Sequence, residues 1–396
     1  MKDYKHTIFA SYIGYITQAI VNNFVPLLFL TLRHTYQISL SKITLLVTIN
    51  FGVQLIVDSL AAHFIDKIGY KVSIVSAHLF AAAGLAGLGI FPELFNDPYI
   101  GLVAAIILYA IGGGLIEVLI SPIVEACPTD KKSAAMSLLH SFYCWGHVFV
   151  VIGSTLFFSV FGIEKWKVLA LIWAATPFLN AIYFARVPIA MLNEEGNSIS
   201  MKQLFSMKLF WVFAVLMICA GASEQAMSQW SSAFAESSLK ISKTLGDLVG
   251  PCLFAILMGT SRVFYSKFSE KINLQKFMIG SGVLCIISYL LAALSPYPIL
   301  ALIGCGLCGL SVGVLWPGAF SLAAEECPRG GTAMFAILAL AGDLGCSAGP
   351  TVVGMVSNAM NGSIKSGLLV AIIFPVLLIA GLILCKRMSK SENQTA

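Results

Sequence analysis

The chain has 396 residues, of which 58% are hydrophobic and only 11% are charged. A soluble domain carries roughly 25% charged residues, so this composition excludes a water-soluble globule and predicts an integral membrane protein. The net charge of +5 requires no nucleic-acid partner, because the basic residues concentrate in loops on one side of the predicted spans.

Twelve apolar segments follow one another along the chain, each long enough for a bilayer-crossing helix of about 20 residues. The period-two alternation typical of a transmembrane barrel is absent, which favours helices. The first segment is too long for the apolar part of a secretory signal, so we interpret it as a span. The predicted spans are 7–32, 43–65, 72–91, 100–125, 134–161, 167–187, 209–235, 245–268, 277–295, 299–325, 332–357 and 366–385.

The longest connection between spans is polar and lies midway along the chain. We therefore expect an N-terminal six-helix bundle over 1–187, a cytoplasmic linker over 188–208, and a C-terminal six-helix bundle with a short cytoplasmic tail over 209–396. Most of the 24 lysine and arginine residues fall on the side that holds both termini. The positive-inside rule assigns that side to the cytoplasm, so we expect a multi-pass protein of the cell membrane. We expect it to be a monomer.

Two short phrases recur in the two halves. "EACP" at 125–128 returns as "EECP" at 325–328, and "FIDKI" at 64–68 returns as "FSEKI" at 268–272. Each pair falls at the cytoplasmic end of the equivalent span in its half. The sequence therefore predicts an all-α membrane protein built as a parallel repeat of two six-helix bundles.

The loop after the second span, "AHFIDKIGYK" at 62–71, resembles the loop signature of the major facilitator superfamily. Asp66, Lys67, Gly69 and Lys71 match that signature, and other positions depart from it. The resemblance covers the whole chain and implies the major facilitator fold, with the two bundles related by a pseudo-two-fold axis. It also implies that the loop acts as a structural latch rather than a substrate site.

The stretch 112–146, "GGGLIEVLISPIVEACPTDKKSAAMSLLHSFYCWG", resembles the fucose:proton symporter family and related sugar transporters. The shared features are a glycine-rich fourth helix, the intramembrane Glu117, Pro122, and a Leu-Leu-His that ends at His140. The chain departs from that family in two places. Asn22 stands where the family has an acidic residue, and Glu224 stands where a neutral polar residue is common, so the coupling carboxylate can differ here.

Five ionisable side chains fall within the apolar spans: Asp58, Glu117, Glu224, His140 and Asp343. A charged side chain at the bilayer centre costs about 2.5–3.5 kcal/mol on insertion scales, so each is a functional candidate. We expect Glu117 and Glu224 to carry a coupling proton. Asp343 is open between proton coupling and helix packing, and Asp58 is open between a structural or gating role and substrate contact.

Residues near the cytoplasmic helix ends are expected to serve structure and gating, because carboxylates and cations there can cap helices and pair across that face, and glycine permits a tight turn. This set is Asp58, Asp66, Lys67, Gly69, Lys71, Glu125, Arg262 and Glu325.

Amide, aromatic and ionisable side chains within the spans suit a neutral polyhydroxylated solute. Amides hydrogen bond to hydroxyl groups, and tryptophan rings stack on the C–H faces of sugars. No lysine or arginine is expected in the middle of a span, which argues against an anionic substrate. The expected substrate-binding residues are Asn22, Asn23, Gln54, Glu117, His140, Tyr143, Glu224, Gln225, Gln229, Trp230 and Trp316, with Gln18 in the same polar set.

The favoured function is a proton-coupled symporter for a sugar or similar solute, powered by the proton gradient with no bound cofactor and no metal. Sodium coupling and uncoupled transport stay open. One alternative is a drug:proton antiporter, whose fifth-helix Gly-Pro signature is missing. Another is a transport-inactive sensor or scaffold, which would have no reason to keep costly buried carboxylates. No H-E-x-x-H, G-x-S-x-G or Walker motif suggests an enzyme.

Overall fold

The computed structural model describes residues 4–128, 132–189, 201–268, 272–327 and 331–395. Within these ranges the regular structure is helical, without strands. Twelve helical segments of this part of the chain are long and apolar enough to cross a membrane, which confirms the predicted all-α fold. Large apolar side chains such as Val160 and Ile299 are more than 70% exposed, as expected of a surface that faces lipid.

The α-helices are numbered in chain order. They are α1 Lys5–Asn23, α2 Phe29–Tyr36, α3 Leu40–Ile68, α4 Tyr70–Ile90, α5 Pro98–Glu125, α6 Lys132–Phe161, α7 Trp166–Arg186, α8 Met201–Ser206, α9 Lys208–Ser237, α10 Lys243–Asp247, α11 Leu253–Phe268, α12 Leu274–Leu294, α13 Pro298–Val312, α14 Leu315–Glu326, α15 Gly331–Ala359, α16 Ile364–Ala371 and α17 Ile373–Thr395.

The chain divides into two compact units. The first unit comprises Met1–Asn193 and Lys243–Leu248, and the second comprises Glu194–Ser242 and Val249–Ala396. The predicted linker over 188–208 is described only in part: α8 lies in it, and residues 190–200 lie outside the described ranges.

Prolines interrupt two of the predicted spans. Pro26 lies in the 3-10 turn Val25–Leu28, which separates α1 from α2. Pro251 lies in the π-helical turn Leu248–Cys252 between α10 and α11. Proline lacks an N–H and its ring crowds the preceding turn, so a continuous α-helix changes its hydrogen-bond pattern at such points.

Glycines let helix backbones approach closely inside each unit. A Cβ built on Gly112 of α5 would lie 2.5 Å from the carbonyl oxygen of Ala77 on α4. A Cβ on Gly345 of α15 would lie 2.0 Å from the carbonyl oxygen of Ile218 on α9. Small residues at such crossings are typical of membrane helices, where association depends on close van der Waals contact.

The loop between α3 and α4 turns at Gly69. Its φ of +88° favours glycine, and its N–H donates a 2.7 Å hydrogen bond to the carbonyl oxygen of Ile65. Lys71 Nζ donates to the carbonyl oxygen of Val187 at 3.2 Å, which ties this loop to the end of α7. The side chains of Asp66 and Lys67, which complete the predicted gating loop, lie outside the described part of the structure.

Candidate functional site

A chain of buried hydrogen bonds joins three helices of the first unit around Glu117. Gln18 Nε2 on α1 donates to Glu117 Oε2 on α5 at 2.9 Å and to Gln54 Oε1 on α3 at 2.9 Å. Gln18 and Gln54 are 2% and 3% exposed. The carboxylate that the sequence predicted as functional is therefore held by an amide from another helix.

The amide network continues from Gln54 along the faces of α1 and α3. Gln54 Nε2 donates to Asn22 Oδ1 at 2.9 Å and to Asn50 Oδ1 at 3.0 Å, and Asn50 Nδ2 donates to Asn22 Oδ1 at 3.3 Å. On each helix these amides are four residues apart, which places them on one face. We name Gln18, Asn22, Asn50, Gln54, Asp58 and Glu117 the amide–carboxylate cluster.

Asp58 follows Gln54 by one turn of α3 and adds a second carboxylate to this cluster. One of its carboxylate oxygens lies within 4.8 Å of a carboxylate oxygen of Glu117. A Cβ on Gly114 would lie 3.0 Å from Asp58 Oδ1, so glycine at this position lets α3 bring Asp58 close to α5. The sequence left Asp58 open between gating and substrate contact, and the structure places it beside Glu117.

Aromatic side chains flank the cluster. Asn23 Nδ2 donates to Tyr143 OH at 3.5 Å, and the Tyr15 hydroxyl lies 3.1 Å from Ser121 Oγ. The His140 ring lies 5.4 Å from the Tyr15 ring, centroid to centroid. Of three predicted residues, Asn23 is on α1, and His140 and Tyr143 on α6 lie beside that helix. Tyr15 was missed, although it precedes Gln18 by only three residues and so shares its face of α1.

The second unit holds a polar group around Glu224, which is 7% exposed. Arg262 Nη2 on α11 lies 3.6 Å from Glu224 Oε2 on α9. Gln225 Nε2 donates to Glu224 Oε1 at 3.3 Å, and Gln229 Nε2 donates to Gln225 Oε1 at 3.1 Å. Three of the predicted substrate-binding residues, Glu224, Gln225 and Gln229, are therefore contiguous in space.

Arg262 corrects one step of the sequence argument. The sequence placed it among the gating residues near a helix end, and no basic side chain was expected in the middle of a span. Its guanidinium instead reaches Glu224, near the middle of α9, and its Nε donates to the carbonyl oxygen of Gly313 at 3.2 Å. The side chain of arginine is long enough to carry charge well inside from a position near the helix end.

The two predicted tryptophans pack against α15. Trp230 is 0% exposed, and its Nε1–H donates to the carbonyl oxygen of Pro350 at 2.9 Å. The Trp316 ring lies against Gly342, where a Cβ would come within 2.2 Å of it. These contacts favour a packing role for Trp230.

Three predicted residues are placed here only by their helix, their exposure or their absence from the described side chains. Asp343 is on α15 of the second unit, and Glu325 is exposed near the end of α14. The side chain of Glu125 lies outside the described part of the structure.

Solved structures with the same fold cover nearly the whole chain. A bacterial homologue of the human lysosomal transporter Spinster, inward-facing and unoccupied, has a TM-score of 0.78 at 14% identity over 99% of this chain and 98% of that chain. The D-xylose–proton symporter has a TM-score of 0.79 at 13% identity over 96% of each chain. The fucose:proton symporter of E. coli has a TM-score of 0.66 at 16% identity over 97% of this chain and 99% of that chain.

Sequence comparison gives the family. The membrane protein MosC of Rhizobium meliloti is 22% identical over 333 residues, which cover 83% of this chain and 78% of MosC. The sequence model of the Major Facilitator Superfamily matches residues 8–350. The superfamily resemblance seen in the loop signature is thus confirmed, and the chain belongs to the major facilitator superfamily.

Proposed function

We propose that this transporter carries a small neutral polar solute, a sugar in the favoured case, together with a proton. The hydrogen bond between Gln18 and Glu117 carries the proposal, because it places a carboxylate that can bind a proton inside a network of amides. We propose further that the chain lies in the cell membrane with both termini in the cytoplasm and works by alternating access, as the superfamily implies.

The amide–carboxylate cluster supports a neutral, hydroxyl-rich substrate. Each amide side chain offers donors and an acceptor, and a carboxylate accepts hydrogen bonds from hydroxyl groups. A solute that presents several hydroxyls can replace the amide–amide bonds of Asn22, Asn50 and Gln54 with bonds of the same kind. An apolar drug cannot, and would leave those buried groups without partners.

The second unit supports the same class of substrate. Its arginine is matched by Glu224, so Arg262 adds no net positive charge that would select an anion. Gln225 and Gln229 extend from that pair as neutral hydrogen-bonding groups.

Transport by the purified protein in liposomes tests the proposal. With an inward proton gradient, we expect a neutral monosaccharide from a screen of radiolabelled sugars to accumulate above its external concentration, and a protonophore to abolish that accumulation. Accumulation that survives the protonophore would contradict proton coupling. Efflux of a fluorescent cationic dye without uptake of any sugar would favour the antiporter alternative.

Glu117→Gln is the matching variant, because it removes the proton-binding group and keeps the shape of the side chain. We expect it to lose uphill accumulation and to keep exchange of labelled for unlabelled sugar. Glu164→Gln makes the same chemical change at an exposed position and serves as the control. Normal uphill transport by Glu117→Gln would assign Glu117 a structural role.

A further inference from the structure

The amide–carboxylate cluster contains two carboxyl groups whose spacing constrains their protonation. Asp58 and Glu117 have carboxylate oxygens within 4.8 Å of each other, and both lie on helices of the first unit. Two negative charges at this separation repel strongly where water is scarce. Such a pair lowers its energy by holding one proton in common.

Gln18 provides an independent observation at the same place. Its Nε2 uses its two hydrogens on Glu117 Oε2 and Gln54 Oε1. Among the described residues, its Oε1 accepts no hydrogen bond, although the side chain is only 2% exposed. A buried acceptor without a donor is costly in free energy. This oxygen is therefore suited to a donor that is present only when a neighbouring group is protonated.

A protonated Glu117 would be that donor. A carboxylic acid and a primary amide can pair through two hydrogen bonds, with the acid O–H donating to the amide oxygen and the amide N–H donating to the acid carbonyl. One of these bonds, from Gln18 Nε2 to Glu117 Oε2, is already in place. Binding a proton on Glu117 would complete the second and satisfy Gln18 Oε1.

Glycines on α5 make room for this arrangement. A Cβ on Gly113 would lie 3.1 Å from Gln18 Oε1, and a Cβ on Gly114 would lie 3.0 Å from Asp58 Oδ1. These glycines precede Glu117 by four and three residues and so share its face of the helix. The oxygens of Gln18 and Asp58 therefore gather on the surface of α5 beside Glu117.

Other titratable side chains of the first unit face this region from α1, α4 and α6. Tyr15 from α1 lies beside Ser121, one turn after Glu117, and His140 from α6 packs on Tyr15. His78 on α4 is engaged elsewhere, with the carbonyl oxygen of Ile74 and with Asn180. Asp58 is an acidic neighbour of Glu117 within the amide–carboxylate cluster.

We propose that Asp58 and Glu117 together hold the coupling proton and that Gln18 Oε1 accepts a hydrogen bond from Glu117 when Glu117 is protonated. The proposal rests on the proposed function and deepens it. It makes Asp58 a coupling residue rather than a gating one, and it makes Gln18 the residue that positions the proton.

Infrared spectroscopy of the full-length protein in lipid tests the shared proton without any solute, through the C=O stretching band of protonated carboxyl groups. In a pH titration we expect the contribution of Asp58 and Glu117 to disappear in two separated steps. Asp58→Asn and Glu117→Gln should each leave one step, displaced from both wild-type steps, because the repulsion between these two carboxyl groups is removed. The double variant should lose the contribution entirely, and Glu164→Gln, at an exposed position, should match the wild type.

The shared proton is overturned if Asp58→Asn removes one step and leaves the other at its wild-type pH, because the two groups would then titrate independently. Asp58→Ser is measured beside Asp58→Asn and should give the same single step. Only variants with the size-exclusion profile and helix content of the wild type are compared.

Gln18→Leu tests the acceptor. Without Gln18, the carboxyl band should move to higher frequency, because hydrogen bonding lowers the C=O stretching frequency. A merely structural role for Gln18 would not move the band, so an unchanged frequency overturns this assignment.

Transport measurements distinguish the shared proton from the proposed function. If the wild type takes up no sugar, the proposed function fails, whereas the spectroscopic result on Asp58 and Glu117 stands independently. If sugar uptake occurs and Asp58→Asn still accumulates it uphill, the shared proton is wrong and the proposed function stands.

Discussion

Arg262 and Glu224 form a buried ion pair between α11 and α9, with 3.6 Å between Nη2 and Oε2. Their side chains are only 20% and 10% exposed. Charges enclosed to this degree attract strongly, but both have lost most of their hydration. The pair therefore affects the free energy of unfolding most when one partner is removed, because the other charge stays partly buried.

Glu224→Gln is expected to lower the free energy of unfolding by about 3 kcal/mol, since it removes the negative charge of Glu224 from beside the partly buried guanidinium of Arg262. Arg262→Gln is expected to cost a similar amount. The double variant should lose less than the sum of the two, because it removes the buried charge altogether. Urea unfolding of the protein in mixed micelles, followed by tryptophan fluorescence, gives the three values.

Lys42 and Asp97 supply the control for the ion pair. They lie 3.9 Å apart with side chains 45% and 52% exposed, so solvent screens them and Lys42→Gln should leave stability nearly unchanged. If Glu224→Gln were as mild as Lys42→Gln, the charge of Arg262 would be hydrated rather than held by Glu224.

Gly345→Ala is expected to destabilise the second unit by about 1–3 kcal/mol, because the new methyl group overlaps a backbone atom that cannot rotate away. The Cβ would lie 2.0 Å from the carbonyl oxygen of Ile218. Gly280→Ala is the matched control, since a Cβ there meets nothing within 4 Å and alanine is the better helix former. Thermal unfolding of both variants checks the prediction, and equal melting temperatures would contradict the close contact of α9 with α15.

Trp230→Phe is expected to reduce stability by about 1 kcal/mol, the value of a typical internal hydrogen bond, because the indole N–H no longer reaches the carbonyl oxygen of Pro350. The KM for the transported solute should stay unchanged, since the ring is fully buried. Uptake kinetics and unfolding are measured on the same preparation. A raised KM with unchanged stability would instead place this ring in contact with the solute, as the sequence suggested.

The sequence predicted the number and order of the spans well because lipid imposes a simple requirement on each of them. About 20 apolar residues must be consecutive, and that property is local. The seventh span, predicted at 209–235, is α9 at Lys208–Ser237. The irregular turns at Val25–Leu28 and Leu248–Cys252 were not predicted, because hydropathy does not register a change of hydrogen-bond pattern.

Pairings between helices were harder to predict than the helices themselves. Glu117 and Glu224 were recognised singly, because a carboxylate in an apolar run is conspicuous. Their partners Gln18 and Arg262 depend on how each helix is rotated about its axis, and a single sequence carries no signal for that. The i, i+4 spacing of Gln18 with Asn22 places both on one face of α1, but it does not identify the helix that this face meets.

Two substitutions of Asn22 test whether the amide network needs only a hydrogen-bond acceptor at this position or specifically a neutral amide. Its Oδ1 accepts hydrogen bonds from Gln54 Nε2 at 2.9 Å and from Asn50 Nδ2 at 3.3 Å. Asn22→Leu removes that acceptor and is expected to lower the free energy of unfolding by about 1–3 kcal/mol, because buried donors lose their partner. Asn22→Asp keeps an oxygen at the same place, so it should be the milder change in urea unfolding. Equal losses in the two variants would show that Gln54 and Asn50 find other acceptors, and the amide network would then not depend on Asn22.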